Sequence, residues 1–403
     1  MANLPRVIAH VDIDCFFASA EIVRNTSLVG KPVVVAGSSP RGVVLSPNYE
    51  ARRFGIRSAM PVETAKKLCP SAVYLAANHH YYSDLSKRFR LVLESVTPYV
   101  EMISVDEAFL DLSGTSLTLG APSEAVKYIR ERILDETSLT CSIGVGSSKT
   151  VAKIASQLAK PKVSRDQVSY GTGVLIVQPT EERKFLATLP VSYLPGIGPK
   201  SESKLASIGV VKVSDLERIP RSTIEKIFGK STEFLLDCGK GNDLREVDVS
   251  RRKKSLGHET TFDQDVGDVK KVRTHLQDLC VEVAEGLFRS NLAAKTVTLK
   301  LKYADFTTST HSRTTGQILV TSRDLSDQVL DMYDRLQMKG PIRLAGLSVS
   351  GLLPRVHAHQ LFLLDETTDR DRYKDLEETV FEVRRRYGRE AVYKGPRIRP
   401  ERQ

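Results

Sequence analysis

Residues 6–14 read RVIAHVDID, and residues 101–112 read EMISVDEAFLDL. In the first stretch Val7, Ala9, Val11 and Ile13 fall on one side of an extended chain, and Ile8, His10, Asp12 and Asp14 on the other. That period of two predicts a half-buried strand with Asp12 on its more polar face. The second stretch reads as two strands folded on themselves with the acids in the middle. Neighbours in a regular strand point to opposite faces, so Asp106 and Glu107 can serve one ion only from a hairpin turn. Asp12 on a neighbouring strand end would complete three carboxylates, a donor set suited to Mg2+, which keeps water and takes substrate phosphate as its remaining ligands. The alternative is an Asp-Glu pair that decorates a solvated turn.

Further out, residues 32–36 and 42–45 predict two more strands, followed by Ser46 as a helix cap and Pro47 in the first turn of a helix over 48–54 that Gly55 stops. Residues 141–161, CSIGVGSSKTVAKIASQLAKP, predict a strand, a glycine turn and a helix ended by Pro161. Tyr49 and Arg52 lie three apart on one helix face and Lys160 closes the later helix. A guanidinium fork and a lysine point charge suit the β and γ groups of a triphosphate, against the alternative of plain exposed helix faces. The turn GVGSSKT fails the P-loop pattern, because Ser148 stands where glycine should precede Lys149. It reads as structural.

At residue 194 the texture changes to LPGIGPKSESKLASIGV, a glycine hairpin between helices, with helical segments to about residue 236. Residues 238–254 read as a linker ending in four basic residues. Residues 296–303 alternate Val297, Leu299, Leu301 and Tyr303 against Thr296, Thr298, Lys300 and Lys302, and 343–350 adds a strand, so a second α/β sandwich is expected. After Pro354 a tail is expected, with one amphipathic helix on Tyr373, Leu376, Val380, Val383 and Tyr387.

At 403 residues the chain suits two to four domains of about 100–200 residues each. Lys and Arg outnumber Asp and Glu by 59 to 49, which favours a polyanionic partner. Five scattered cysteines without a CxxC pair argue for reduced thiols and against a zinc site. The start lacks an apolar leader and no stretch approaches eighteen apolar residues, so a cytoplasmic protein without a membrane span is expected.

VDIDCFFASAE (11–21), SPNYEARRFGIRS (46–58), ISVDEAFLDLS (103–113), SIGVGSSKTVAKIASQLAKP (142–161) and LPGIGPK (194–200) occur in the order seen in Y-family DNA polymerases. Over residues 6–353 the chain resembles their bacterial polymerase IV branch. The resemblance implies an α/β (α+β) multidomain right hand. Its parts would be a palm over 1–168 with fingers inserted at 21–77, a helical thumb over 169–237, the linker 238–254, a little finger over 255–354 and the tail 355–403. It implies translesion-type, low-fidelity, templated addition of dNTPs to a primer 3′ end with release of pyrophosphate, by a monomer. Asp12, Asp106, Glu107 and the carbonyl of Ile13 match metal positions for two Mg2+ ions, with Mn2+ as the alternative. Tyr49, Arg52 and Lys160 match triphosphate positions, and Ser46 a fingers position near the incoming nucleotide. Phe17 aligns with the aromatic steric gate against a ribose 2′-hydroxyl, although Phe16 and Phe17 could both be core.

The hairpin at Gly196, Gly198 and Lys200 resembles a helix-hairpin-helix, whose amides face a DNA phosphate, with Glu202 where a small residue is common. A purely structural helix pair is the alternative. Lys295, Lys300, Lys302 and Arg313 suit primer-template backbone, or else guard a solvated edge. Gln360, Leu361, Phe362, Leu363 and Leu364 resemble the peptide by which bacterial polymerases dock on a sliding clamp, with Leu364 where an aromatic is common; packing on the little finger is the other reading. Two rivals remain: a non-catalytic relative that binds DNA or recruits partners, and a small-nucleotide transferase, which would leave the hairpin and the basic second sheet without a role.

Overall fold

The alternation at residues 6–14 forms β1 (Ile8–Ile13), and a sharp turn through Cys15, at φ 47, starts α1 (Phe16–Arg24). The computed structural model describes residues 6–250, 253–355, 368–388 and 391–392, in two compact units that divide after residue 251. In the first unit β2 (Val33–Ala36), β3 (Val44–Pro47), α2 (Tyr49–Arg52), α3 (Val62–Leu68) and β4 (Val73–Ala76) follow. Next come α4 (His79–Val96), β5 (Val100–Met102), β6 (Glu107–Asp111), α5 (Ser116–Leu119), α6 (Pro122–Thr137), β7 (Cys141–Gly146) and α7 (Lys149–Ala159). Short strands β8 (Lys162–Val163), β9 (Val168–Ser169) and β10 (Val174–Ile176) lead into α8 (Glu182–Ala187), α9 (Pro199–Ala206), α10 (Arg221–Phe228) and α11 (Thr232–Lys240).

The main sheet has the order β10-β7-β1-β6-β5, with β1 antiparallel to both neighbours. Contrary to the half-buried expectation, β1 is covered on both faces, and Ile8 and His10 are as buried as Ala9 and Val11. The cover is α7, which lies so close to β7 that a Cβ on Gly144 would stand 2.1 Å from the Ser156 nitrogen. His10 is tolerated there because its Nδ1 meets Ser156 Oγ at 2.7 Å. Strand β10 joins this sheet in parallel to β7, so strand structure of the first sheet continues past the boundary expected at 168.

A smaller sheet, β3-β2-β4, occupies the inserted segment. Ser46 and Pro47 are not a helix cap and first turn but the end of β3, where Ser46 pairs with Val35 and Pro47 with Val34. Asn48 caps α2 instead: its Oδ1 accepts from the nitrogens of Ala51 at 3.0 Å and Val33 at 2.9 Å. Gly55, at φ +83, ends the segment as expected.

The expected linker is tied down through most of its length. Residues 238–240 finish α11, and Asp243 accepts from the Thr150 nitrogen at 3.2 Å and its hydroxyl at 2.8 Å. The Asp248 nitrogen donates to Glu101 Oε2 at 2.8 Å, and Val247 packs with Ile8, Phe109 and Ala152. Residues 241–250 thus form a strap on the first unit.

The second unit runs β11 (Ser255–Val266), α12 (Val269–Arg289), β12 (Leu292–Tyr303), β13 (Thr308–Leu319), α13 (Ser322–Asp334), β14 (Ile342–Ser350), β15 (Leu353–Pro354) and α14 (Thr368–Tyr387). Its main sheet has the order β11-β14-β12-β13. Val297, Leu299, Leu301 and Tyr303 of β12 enter the core with α12 and α13, as the alternation predicts. The other face carries hydroxyl pairs, Thr296 with Thr314 at 2.9 Å and Thr298 with Ser312 at 2.8 Å.

The helix of the expected tail is part of this body. Its buried stripe is Lys374, Glu377 and Phe381, while Leu376 and Tyr387 are exposed, against the expected apolar stripe. The surface it meets explains the difference: Glu377 accepts from the Ser322 nitrogen at 2.8 Å, at the amino end of α13, and Phe381 lies 5.8 Å from Phe288. The five cysteines are buried and free. No helix among the described residues is long and apolar enough to cross a membrane.

Candidate active site

Asp12 stands at the end of β1, directly opposite Glu107 at the start of β6, and Asp106 occupies the turn before it. Ser104 shapes that turn: its Oγ accepts from the nitrogens of Asp106 at 3.3 Å and Glu107 at 3.1 Å and donates to Asp106 Oδ1 at 2.5 Å. The Ile13 nitrogen donates to the Asp106 carbonyl at 2.9 Å, joining the strand carrying Asp12 to the turn. The hairpin therefore removes the opposite-face conflict between Asp106 and Glu107.

Two lysines answer the acids. Lys160 Nζ lies 2.8 Å from Asp12 Oδ1, and Lys153 Nζ 2.7 Å from Glu107 Oε1. Among the described residues no three His, Cys, Asp or Glu side chains close into a ready cation site, so the acids share one place but each of these two is clasped by a lysine. Burial pushes the Asp12 carboxyl up to about 6; Lys160 opposes this, and Asp106 and Glu107 add to it. His10 Nε2 faces Glu107 Oε2 at 3.6 Å without a hydrogen-bond partner, and burial, then Lys153 and Lys160, hold the imidazole well below its ordinary range. An all-oxygen set whose own acids repel one another fits a hard divalent cation.

The raised Asp12 value has a sign in stability. The folded state binds this proton more tightly than the unfolded chain does, so stability falls as pH rises from about 4 to about 6. Asp12→Asn removes the penalty and is expected to stabilise the metal-free protein at pH 8 by about 1–3 kcal/mol, read from denaturant midpoints in EDTA. A midpoint at or below that of the parent would mean that the Lys160 pair outweighs the burial of the charge.

Tyr49 is buried, and its hydroxyl donates to Asp14 Oδ1 at 2.9 Å. The Arg52 guanidinium sits 5.1 Å above the Tyr49 ring, and its Nε donates to the Pro47 carbonyl at 3.1 Å. Ser46 is buried in β3, and the Lys160 ammonium pairs with Asp12. Phe16 and Phe17 divide as adjacent residues must: Phe16 is core, whereas half-buried Phe17 stacks on Tyr82 with centroids 4.3 Å apart. Of GVGSSKT, residues 144–146 end β7 and Lys149, buried against Glu101, starts α7, so only Ser147 and Ser148 turn the chain, where a longer glycine turn was expected.

In the hairpin, Gly196 has φ +86, Gly198 precedes Pro199 as the cap of α9, and Lys200 is exposed. Lys295 is exposed, Lys302 lies 4.8 Å over the Phe306 ring, and Lys300 sits 2.9 Å from both Glu259 oxygens. Arg313 does not share their face. It pairs across the sheet with inward Val297 and bonds Asp331 of α13 at 2.7 Å. Gln360, Leu361, Phe362, Leu363 and Leu364 lie outside the described residues.

Lys153, Asp14 and Ser104 were not among the expected site residues. Signals existed for two of them: Lys153 is seven residues before Lys160, the spacing of one helix face, and Asp14 is two past Asp12 on one strand face. Ser104 gave none.

Residues 11–157 match the impB/mucB/samB family, residues 253–363 its C-terminal domain, and residues 192–243 a thumb domain described for DNA polymerase-iota. The DNA polymerase IV of Desulfatibacillum aliphaticivorans is 35% identical over 387 residues, 95% of this chain and 94% of that one. That of Alkalilimnicola ehrlichii is 37% identical over 349 residues, covering 86% and 96%. Among solved structures, a Y-family polymerase chimera of Dbh and Dpo4 matches with TM-score 0.77 at 26% identity, over 86% of this chain and 99% of that one. An insertion ternary complex of Dbh DNA polymerase matches with TM-score 0.62, also at 26% identity and over the same shares. Such agreement over nearly whole chains, on top of an acid-bearing hairpin between antiparallel strands, makes this chain a member of the impB/mucB/samB family, a translesion DNA polymerase of the Y family beside the relatives named DNA polymerase IV.

Proposed function

We propose that this polymerase extends primers by two-metal-ion nucleotidyl transfer, with low fidelity, and that Asp12, Asp106, Glu107 and the carbonyl of Ile13 hold two Mg2+ ions, or Mn2+ in their place. What carries the reading is Asp12 standing opposite Glu107 with Asp106 in the adjoining turn. Bound there, the ions supply a more acidic primer 3′-hydroxyl and charge stabilisation at the reacting phosphate. The chain's own groups do the rest. Lys160 and Lys153 balance the acids and can be exchanged onto substrate phosphates, while Tyr49 and Arg52 line the triphosphate site, Arg52 with its guanidinium and Tyr49, whose hydroxyl is given to Asp14, with the ring on which that guanidinium rests. Ser46 serves as a fingers position near the incoming nucleotide, and Phe17 excludes a ribose by shape. The fingers sheet is only three short strands, so little structure checks the nascent pair, which supports low fidelity. Primer extension on an undamaged template, with each dNTP and rNTP offered singly, tests templating, sugar choice and misinsertion together. Misinsertion as rare as in a replicative enzyme would exclude the low-fidelity part.

Primer-template DNA is gripped, in this reading, by Gly196, Gly198 and Lys200 and by the hydroxyl-rich sheet face with Lys295, Lys300 and Lys302. Removing one cation that neutralises a DNA phosphate should lower the slope of log affinity against log salt by about 0.9. Lys295→Ala and Lys302→Ala are therefore expected to flatten that slope, measured by fluorescence anisotropy from low to moderate KCl. Arg313→Ala leaves it unchanged and instead lowers the unfolding midpoint, since its partner is Asp331. Equal slopes for the parent and all three variants would remove the sheet face from the interface.

Residues 360–364 are proposed to dock on the sliding clamp, Gln360 in a polar site and the apolar residues after it in a greasy one. Because α14 belongs to the second unit's core, alanines at 360–364 test this better than truncation. Clamp-dependent lengthening of products on a primed circular template is expected to disappear; if it persists, the clamp docks elsewhere.

A further inference from the structure

Asp14 is nearly inaccessible, yet nothing in the metal reading uses it. It accepts three hydroxyls: Tyr49 at 2.9 Å and Ser142 at 2.9 Å on Oδ1, and Thr140 at 3.0 Å on Oδ2. Ser142 belongs to β7 and Thr140 stands just before that strand, whereas Tyr49 belongs to α2, beside the small fingers sheet. A buried carboxylate supplied by three donors is held firmly, and each donor is held in turn, because leaving it unpaired would cost the desolvation of a charge. Burial above all keeps the Tyr49 hydroxyl protonated, so it remains a donor throughout the neutral range. The Arg52 guanidinium rests on the same ring, so whatever fixes Tyr49 also limits where Arg52 can go.

We propose that Asp14 is a positioning residue for nucleotide selection, which anchors Tyr49, and Arg52 through it, to the palm and so presets the fingers side of the triphosphate site. Asp14 acts only through Tyr49 and touches no substrate. This deepens the polymerase reading and rests on its assignment of Tyr49 and Arg52 to the triphosphate.

The test is a double-mutant cycle in single-nucleotide insertion, with Asp14→Asn, Tyr49→Phe, their combination, and Ser142→Ala as a control that removes a different partner of the same carboxylate. Asp14→Asn is close in shape and keeps one acceptor oxygen; Asp14→Ser replaces it throughout should it fail to fold. Asp14→Asn is expected to raise KM for the correct dNTP on the order of tenfold with kcat within about threefold, since positioning rather than chemistry is lost. In the Tyr49→Phe background the same change has no further effect on KM, and Ser142→Ala shifts the unfolding midpoint but not KM. Multiplicative effects in the double variant, a fall in kcat alone, or a KM shift from Ser142→Ala equal to that of Asp14→Asn would each overturn the proposal. If the wild-type protein itself failed to extend primers, the polymerase reading would fail instead, so the two failures are distinguishable.

Discussion

Asp106→Ala is expected to slow templated extension by about 10³–10⁴-fold, because several kcal/mol of charge stabilisation disappears at about 1.4 kcal/mol per decade of rate. Asp106 sits in the turn between β5 and β6 and is proposed as a ligand shared by both ions. Its backbone, not its side chain, holds the neighbouring strand: the carbonyl accepts from the Ile13 nitrogen at 2.9 Å. Alanine keeps that bond and gives up only the hydrogen bond from the Ser104 hydroxyl, so the fold survives and DNA affinity stays within about threefold of the parent. Rapid-quench measurement of a single turnover separates the chemical step from product release. Undiminished single-turnover extension by this variant would withdraw Asp106 from the metal site.

Phe17→Ala should raise the use of ribonucleotides on the order of 10²-fold relative to deoxynucleotides, the discrimination that one added hydroxyl can meet in a shaped apolar pocket. Phe17 is suited to this because its ring is buttressed: it stacks on Tyr82, with His79 edge-on at 6.0 Å, and Tyr82 is itself fixed by a hydroxyl bond to Glu21 at 2.8 Å. A gate must resist being pushed aside, and a ring backed by a second ring does. Phe16 is core, so Phe16→Ala is expected to cost stability by leaving a cavity while sugar choice stays near the parent's. The check is kcat/KM for one rNTP and its dNTP on the same template. A ratio unchanged in Phe17→Ala would place the gate elsewhere.

What sequence could reveal follows from what each feature depends on. The strand at residues 6–14, the acid-bearing hairpin and the alternation at 296–303 are local patterns, and all three are found in the structure. The second cover on β1 was not legible, because Gly144 reads as a turn residue until α7 is seen lying on it. The start of α2 was misplaced at Ser46 because Ser-Pro is a good helix opening by itself; pairing with β2 decides otherwise. Arg313 looked like one more cation in a basic run, yet its face is set by cross-strand register, which shifts near Ala294. The stripe of α14 was misread because Lys374 and Glu377 are buried by polar partners that hydropathy does not count. Ion pairs such as Lys160 with Asp12 join residues far apart in the chain and become visible only in three dimensions.

Both lysines that clasp the acids ride on one element, Lys153 within α7 and Lys160 at its end, and that helix is seated on β7 through the bare backbone of Gly144. The two ammonium groups therefore behave as the jaws of a single caliper. Movement of α7 carries both stems at once, so a shift of the helix strains the Lys160–Asp12 and Lys153–Glu107 pairs together.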